Sequence, residues 1–297
     1  MAGIVEHVAD VLLPVLICVL LGYFLSLIKA RFDTKLFGDL VSNIGYPTLV
    51  ISHLAKEHIQ LSTFALVMVA AGGLVLIFAV LGYAALRILR VPVRAYLGPM
   101  MLANVGSVGL PVATLAFGPQ GAAVTIGFIA VILAAIFTIG IALPMGKPDL
   151  RALAKQPVIY AVLLSLVMMA TGWKLPKPIE QSFDILAGLT IPVMLLTLGY
   201  SLGTLKLGGL TRAIVLSLVH IVLSAIAAFL ITTALGLEGR VQSIVILLCF
   251  MPPSAITYLP VARYQPDEAP GVAGFVLVST LMTLVTLPIV LTFWATG

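Results

Sequence analysis

The chain has 297 residues, of which 61% are hydrophobic and only 9% charged, with a net charge of +5 and a mean hydropathy of +1.21. A soluble domain carries about a quarter charged residues and under half apolar ones. That mismatch excludes a soluble globular enzyme, a disordered chain and a nucleic-acid-binding domain. The basic residues sit in short gaps between apolar runs and read as topology signals.

A helix crossing a hydrocarbon core of roughly 30 Å needs about 20 mostly apolar residues. Ten such runs are predicted, at 8–28, 36–55, 61–86, 95–117, 122–143, 158–172, 183–202, 213–235, 241–262 and 271–294. They are continuous rather than alternating, which excludes a β-barrel. The stretch before the first run lacks Lys and Arg, so that run is expected to stay as a span and not to act as a signal peptide. Cys18 and Cys249 each lie inside an apolar run, which points to neither a disulfide framework nor a metal cluster. No metal and no cofactor are expected.

With the N-terminus outside, the inner loops hold Lys29, Arg31, Lys35, Arg87, Arg90, Arg94, Lys147, Arg151, Lys155, Lys206, Arg212 and Arg263. The outer loops hold only Lys56, Lys174, Lys177 and Arg240. This bias predicts a multi-pass protein of the cell membrane with both termini on the outer side.

The linker 147–157 separates residues 1–146 from 158–297, five predicted spans each, and an odd number per half inverts one half relative to the other. Asp39 lies eight residues before Pro47, and Asp184 eight before Pro192, an offset of 145. Leu110-Pro111-Val112-Ala113 recurs as Leu259-Pro260-Val261-Ala262 at an offset of 149, so the two registers differ by about a helical turn.

The fourth run holds Gly106, Gly109 and Pro111 at mid-span, and the ninth holds Pro252, Pro253 and Pro260. Neither run sustains a continuous helix, because each proline removes a donor and clashes with the preceding turn. In lipid the freed backbone groups must be buried in protein or line a wet cavity. A broken helix also presents an N-terminal end with unpaired N–H groups and roughly half a positive charge, a ready anion site. Paired breaks in inverted halves point to a transporter's substrate site. Asn104, Ser107, Ser254, Thr257 and Tyr258 are candidates for added hydrogen bonds. Asn43 and Pro47 of the second span, with Thr190 and Pro192 opposite, are expected to face the breaks.

None of the 11 acidic residues falls in spans 3, 4, 5, 8, 9 or 10, which disfavours a carboxylate-lined sodium site there. Candidate coupling groups are Asp39, Asp184, His53 and His220. The competing readings are interfacial carboxylates in the first turns of their helices, and histidines bonded to a neighbouring helix. The small-residue pattern from Gly199 to Gly203 suits a dimer contact or close packing within one chain. An intramembrane enzyme is disfavoured: no His-Glu-x-x-His pair and no facing mid-membrane aspartates are present.

The stretch from Asn104 through Pro111 to Gly118 resembles the first crossover helix of the auxin efflux carrier family. Met251-Pro252, Ala262-Arg263-Tyr264-Gln265 and Glu268 resemble the second crossover helix and the loop after it. The short central loop is similar to that of a compact prokaryotic member. The resemblance implies an all-α fold of ten spans as a five-plus-five inverted repeat, like that of bile acid–sodium symporters. Spans 1, 2, 6 and 7 would form a scaffold that dimerises, and spans 3–5 and 8–10 a moving transport domain. The implied cargo is an organic anion, auxin-like or malate- or malonate-like, carried by uniport or proton-linked efflux, with a sodium-coupled symporter as the alternative. By the same match Asn104 would contact the substrate, Pro111 would mark the first crossing, and Pro252 matches a proline of the family's second helix. Thr257 stands where plant members have the crossing proline, and Pro253 and Pro260 are additional to the family pattern.

Overall fold

The computed structural model describes residues 2–56, 61–147, 154–204 and 209–294. Glu57, Asp149, Arg151 and Lys206, and with them most of the central linker, lie outside the described residues. Among those described, every regular element is helical: α1 (Ala2–Leu27), α2 (Thr34–Leu40), α3 (Tyr46–Lys56), α4 (Leu61–Ile88), α5 (Val93–Met101), α6 (Leu110–Ala135), α7 (Ile141–Met145), α8 (Pro157–Thr171), α9 (Lys177–Thr204), α10 (Leu210–Ala234), α11 (Gly239–Cys249), α12 (Tyr258–Tyr264) and α13 (Ala269–Trp294). Among the described residues five stretches are long and apolar enough to cross a membrane: Ser62–Ile88, Val105–Met145, Lys177–Thr204, Leu210–Ala234 and Ala269–Thr292. Many outward side chains are large and apolar, among them Ile88, Ile185, Phe229 and Val285. Together these features define a multi-pass membrane protein.

The 41-residue stretch Val105–Met145 is not straight. Gly118 has φ 63° and ψ −150°, a conformation open only to glycine, and Pro119 follows it. A side chain at Gly121 would overlap the Ala113 carbonyl, although eight residues along a straight helix span about 12 Å. The stretch therefore folds back at Gly118, where the gap between the fourth and fifth runs was predicted. Space around Gly118 is open, so Gly118→Ala tests backbone strain alone. It is expected to destabilise the protein by about 1–3 kcal/mol, read as a lowered unfolding midpoint in detergent.

Proline also explains two wide turns. The N–H of Tyr46 bonds to Val41 O, and that of Leu110 to Val105 O, five residues back in each case. Each wide turn ends in a glycine, Gly45 or Gly109, two residues before Pro47 or Pro111. A proline ring collides with the carbonyl four residues earlier, and the wider turn carries that carbonyl clear.

The helices pack as two groups. In one, α1 lies along α9, and α3 packs on α8 and α9. In the other, α4 contacts α5, α6 and α10, while α10 packs on α11 and α13. Gly199 and Gly203 face α1: a side chain at Gly199 would overlap the Val19 carbonyl, and one at Gly203 the Ser26 hydroxyl. The small-residue pattern is thus used inside one chain, and of the two expectations for it this is the one the structure meets. Buried hydroxyls are mostly satisfied by the preceding turn, as with Thr125 donating to Gly121 O at 2.7 Å. Ser165 Oγ is buried without a partner among the described residues.

Candidate functional site

Both predicted breaks are present, and they meet. Helix α5 ends at Met101 and α11 at Cys249, and Ala103 and Pro253 then form an antiparallel bridge. Asn104 N donates to Pro252 O at 2.7 Å, and Ser254 N donates to Leu102 O at 2.8 Å. Adding 150 to the first segment's numbers, and subtracting it from the second's, turns one bond into the other. The pairing is therefore two-fold symmetric, with Asn104 equivalent to Ser254. This register lies one residue from the 149 of the repeated tetrapeptide and decides between the two sequence registers at this point. The bridge also satisfies backbone groups that proline and the helix ends leave open.

Asn104 is buried, and its Oδ1 accepts from Ser107 N at 3.1 Å, so it caps the turn Val105–Gly109. The first N–H groups of that turn, at Val105 and Gly106, have no acceptor within the helix. On the other side Ser254 starts a short turn, Ala255–Thr257, that leads into α12. Thr257 is buried, and its Oγ1 donates to Ser254 O at 2.5 Å. Tyr258, half-buried, is the first residue of α12, and Pro260 lies in the first turn of that helix, where the missing donor matters least.

A cavity of about 10 Å³ adjoins the bridge, room for about one water. Its polar lining is Tyr46, Asn104, Gly106 and Ser254. Its apolar lining includes Ile129, Ile132, Leu133, Ile136 and Ile256. No lining residue is charged, so the backbone N–H groups and these amide and hydroxyl groups supply its electrostatics.

Sequence reasoning missed Tyr46. It is buried, it lines the cavity, and its hydroxyl oxygen sits so close over Gly106 that a side chain there would overlap it. A phenol at mid-span beside a proline needs a buried partner, and that need was the available signal. The apolar wall carried no signal, because its isoleucines resemble any other lipid-span residue.

Several expectations are corrected. The two segments pair at Ala103 and Pro253, and Pro111, expected at the first crossing, is buried in the first turn of α6. Asn43 does not face the bridge: it is exposed, and its Nδ2 donates to Asp39 O at 2.8 Å, so the amide finds its partner on its own helix. Pro47 is half-buried, while Thr190 is buried against Gly45, 2.8 Å from where a side chain there would begin, and Pro192 is exposed. Asp39 and Asp184 match in sequence but not in setting. Asp39 is exposed, whereas Asp184 lies two turns into α9 and accepts from Ser52 Oγ at 2.5 Å, tying α9 to α3. His53 Nδ1 lies 3.0 Å from Leu49 O. His220 is buried between the rings of Phe78 and Phe275, on helices α4 and α13, and does not line the cavity. Pro252 and Pro253 are buried in the break itself.

A multi-pass helical protein whose broken helices meet over an uncharged, partly polar cavity belongs among membrane transporters. A profile described as membrane transport protein matches residues 141–291. The chain belongs to that family, the auxin efflux carrier-like membrane transporters. It is 27% identical over 297 residues to the uncharacterized transporter MJ1031 of Methanocaldococcus jannaschii, covering 94% of this chain and 96% of that one. It is 23% identical over 304 residues to the uncharacterized transporter YfdV of Escherichia coli, covering 94% and 95%.

Proposed function

We propose that the protein carries an organic anion, an auxin-like or malate- or malonate-like carboxylate, by alternating access, with the carboxylate held where the two broken helices meet. The observation that carries this reading is the symmetric pairing of Asn104 and Ser254 beside a cavity without charged side chains. Two helix starts converge there, and their partial positive charge suits an anion without a fixed cation that would hold it too tightly to release. The cavity must widen to admit any such acid, as alternating access requires. The reading takes ten spans in two inverted halves, both termini outside, in a bacterial cell membrane. The packing group of α1–α3, α8 and α9 serves as a dimerising scaffold, and the rest moves as an elevator. With the inside negative, anion exit is favoured by roughly 2.3 kcal/mol per charge per 100 mV, so uniport or proton-linked efflux suffices.

The test is charge movement across proteoliposomes on addition of mono- and dicarboxylates, with and without sodium and a pH gradient. A saturable, sodium-independent current for one acid is the expected result. Silence across the panel overturns anion carriage, and a current seen only with sodium replaces this reading with a sodium-coupled symporter.

A further inference from the structure

The repeated Leu-Pro-Val-Ala tetrapeptide occupies two different settings. Leu110 is fully buried, whereas its counterpart Leu259 is 63% exposed. The tetrapeptides lie one residue off the register of the bridge, and the two segments also differ in what covers them. Helix α9 packs on the turn Val105–Gly109, and α1 and α3 pack on α6. None of α1, α2, α3, α8 and α9 packs closely on Ala255–Tyr264 among the described residues. The first packing group thus covers the segment after the first break and leaves the segment after the second uncovered. A two-fold-related arrangement would reverse that.

The residue that reaches the cavity from the covering group is Tyr46, whose hydroxyl lies over Gly106 in the covered segment. The register that carries Pro47 to Pro192 carries Tyr46 to Ile191, and the register of the bridge carries Ser107 to Thr257. We propose, resting on the carrier reading above, that Tyr46 and Ile191 alternate at the substrate seat. Tyr46 offers its hydroxyl to the carboxylate in the arrangement seen here, and Ile191 stands in that place, against Thr257, in the opposite one. The seat then holds one more hydrogen-bond donor in one state than in the other. With the basic loops inside, the covered segment is the outer one, so the present arrangement opens inward and Tyr46 serves substrate arriving from the cytoplasm. The consequence is tighter binding at the inner face than at the outer. Net direction stays with the concentration gradient and the membrane potential.

Two paired-cysteine variants test the exchange without any substrate, in a background with Cys18→Ala and Cys249→Ala. Tyr46→Cys with Ser107→Cys, and Ile191→Cys with Thr257→Cys, are each treated with a short bifunctional thiol reagent in vesicles at both polarities of membrane potential. Both pairs are expected to cross-link, the second growing as the first declines. Failure of either pair at both polarities overturns the proposal. The contact itself is read with labelled malonate and labelled auxin at each face of oriented proteoliposomes. Tyr46→Phe is expected to raise half-saturation about five- to tenfold at the cytoplasmic face, the loss of one hydrogen bond to a charged group. At the outer face the shift should stay below about twofold. An equal shift at both faces, or none at the inner one, overturns the contact, and if neither acid is carried the cross-links alone decide. Asn104→Ala run in parallel separates the two readings: unchanged affinity there sinks the seat itself, whatever Tyr46→Phe does.

Discussion

Asn104→Asp is expected to abolish carboxylate binding while leaving the protein folded, and Asn104→Ala to weaken binding at least tenfold, about 1.4 kcal/mol or more. The two variants separate structure from function. Asn104 accepts from Ser107 N through its side chain while its backbone N–H holds Pro252 O. Aspartate caps a helix as well as asparagine does, so the turn Val105–Gly109 keeps its cap. Its charge is also favoured at a helix start. A second negative charge beside a carboxylate is repelled, however, in a site without a compensating cation. Alanine removes the cap, costing about 0.5–2 kcal/mol of stability, and removes the amide donor as well. Binding is measured by heat or by tracer retention on purified protein, and folding by thermal unfolding in the same detergent. Retained affinity in Asn104→Asp would remove the anion from this seat. Ser254→Ala, at the symmetric position, is the milder companion, since the Ser254 side chain caps nothing in the structure.

The largest stability effect is expected at Gly199. A methyl there would run into the Val19 carbonyl and crowd the Tyr23 amide, backbone atoms of a neighbouring helix that cannot rotate away. Helices α1 and α9 must then separate along their whole contact. Overpacking of ordinary cores costs about 1–3 kcal/mol, and a clash with backbone belongs at or above the top of that range. Gly199→Ala should therefore lose monodisperse protein on extraction or drop the unfolding midpoint sharply. Gly188 lies on the same helix with open space around it. Gly188→Ala should stabilise slightly, by up to about 1 kcal/mol, through helix propensity alone. Equal behaviour of the two variants would mean that α1 and α9 do not approach as closely as described.

Much of the plan was legible because lipid leaves the backbone few options. Long apolar runs become helices whatever their neighbours, since each N–H and C=O must be bonded within the segment. The fold-back at Gly118 and the breaks beside Pro252-Pro253 were readable for the same reason: proline and glycine act on their own turn. Asn104 was read as a hydrogen-bonding residue of the break, and the structure adds that it caps the turn that follows.

Other features depended on partners distant in the chain. Nothing near Asp184 announces Ser52, 132 residues away, and nothing near Asn43 says that its amide turns back to Asp39. The pairing of Ala103 with Pro253 reflects where two segments can exchange backbone bonds, not where either one bends. The amino-acid sequence by itself determined the helices, their interruptions and the polar groups beside them, because those follow from local sterics and from the demand that buried backbone be paired. Only the tertiary structure decided that Tyr46 joins the site and that Leu110 is buried while Leu259, in the repeated tetrapeptide, is exposed, because burial is set by which helices lie alongside.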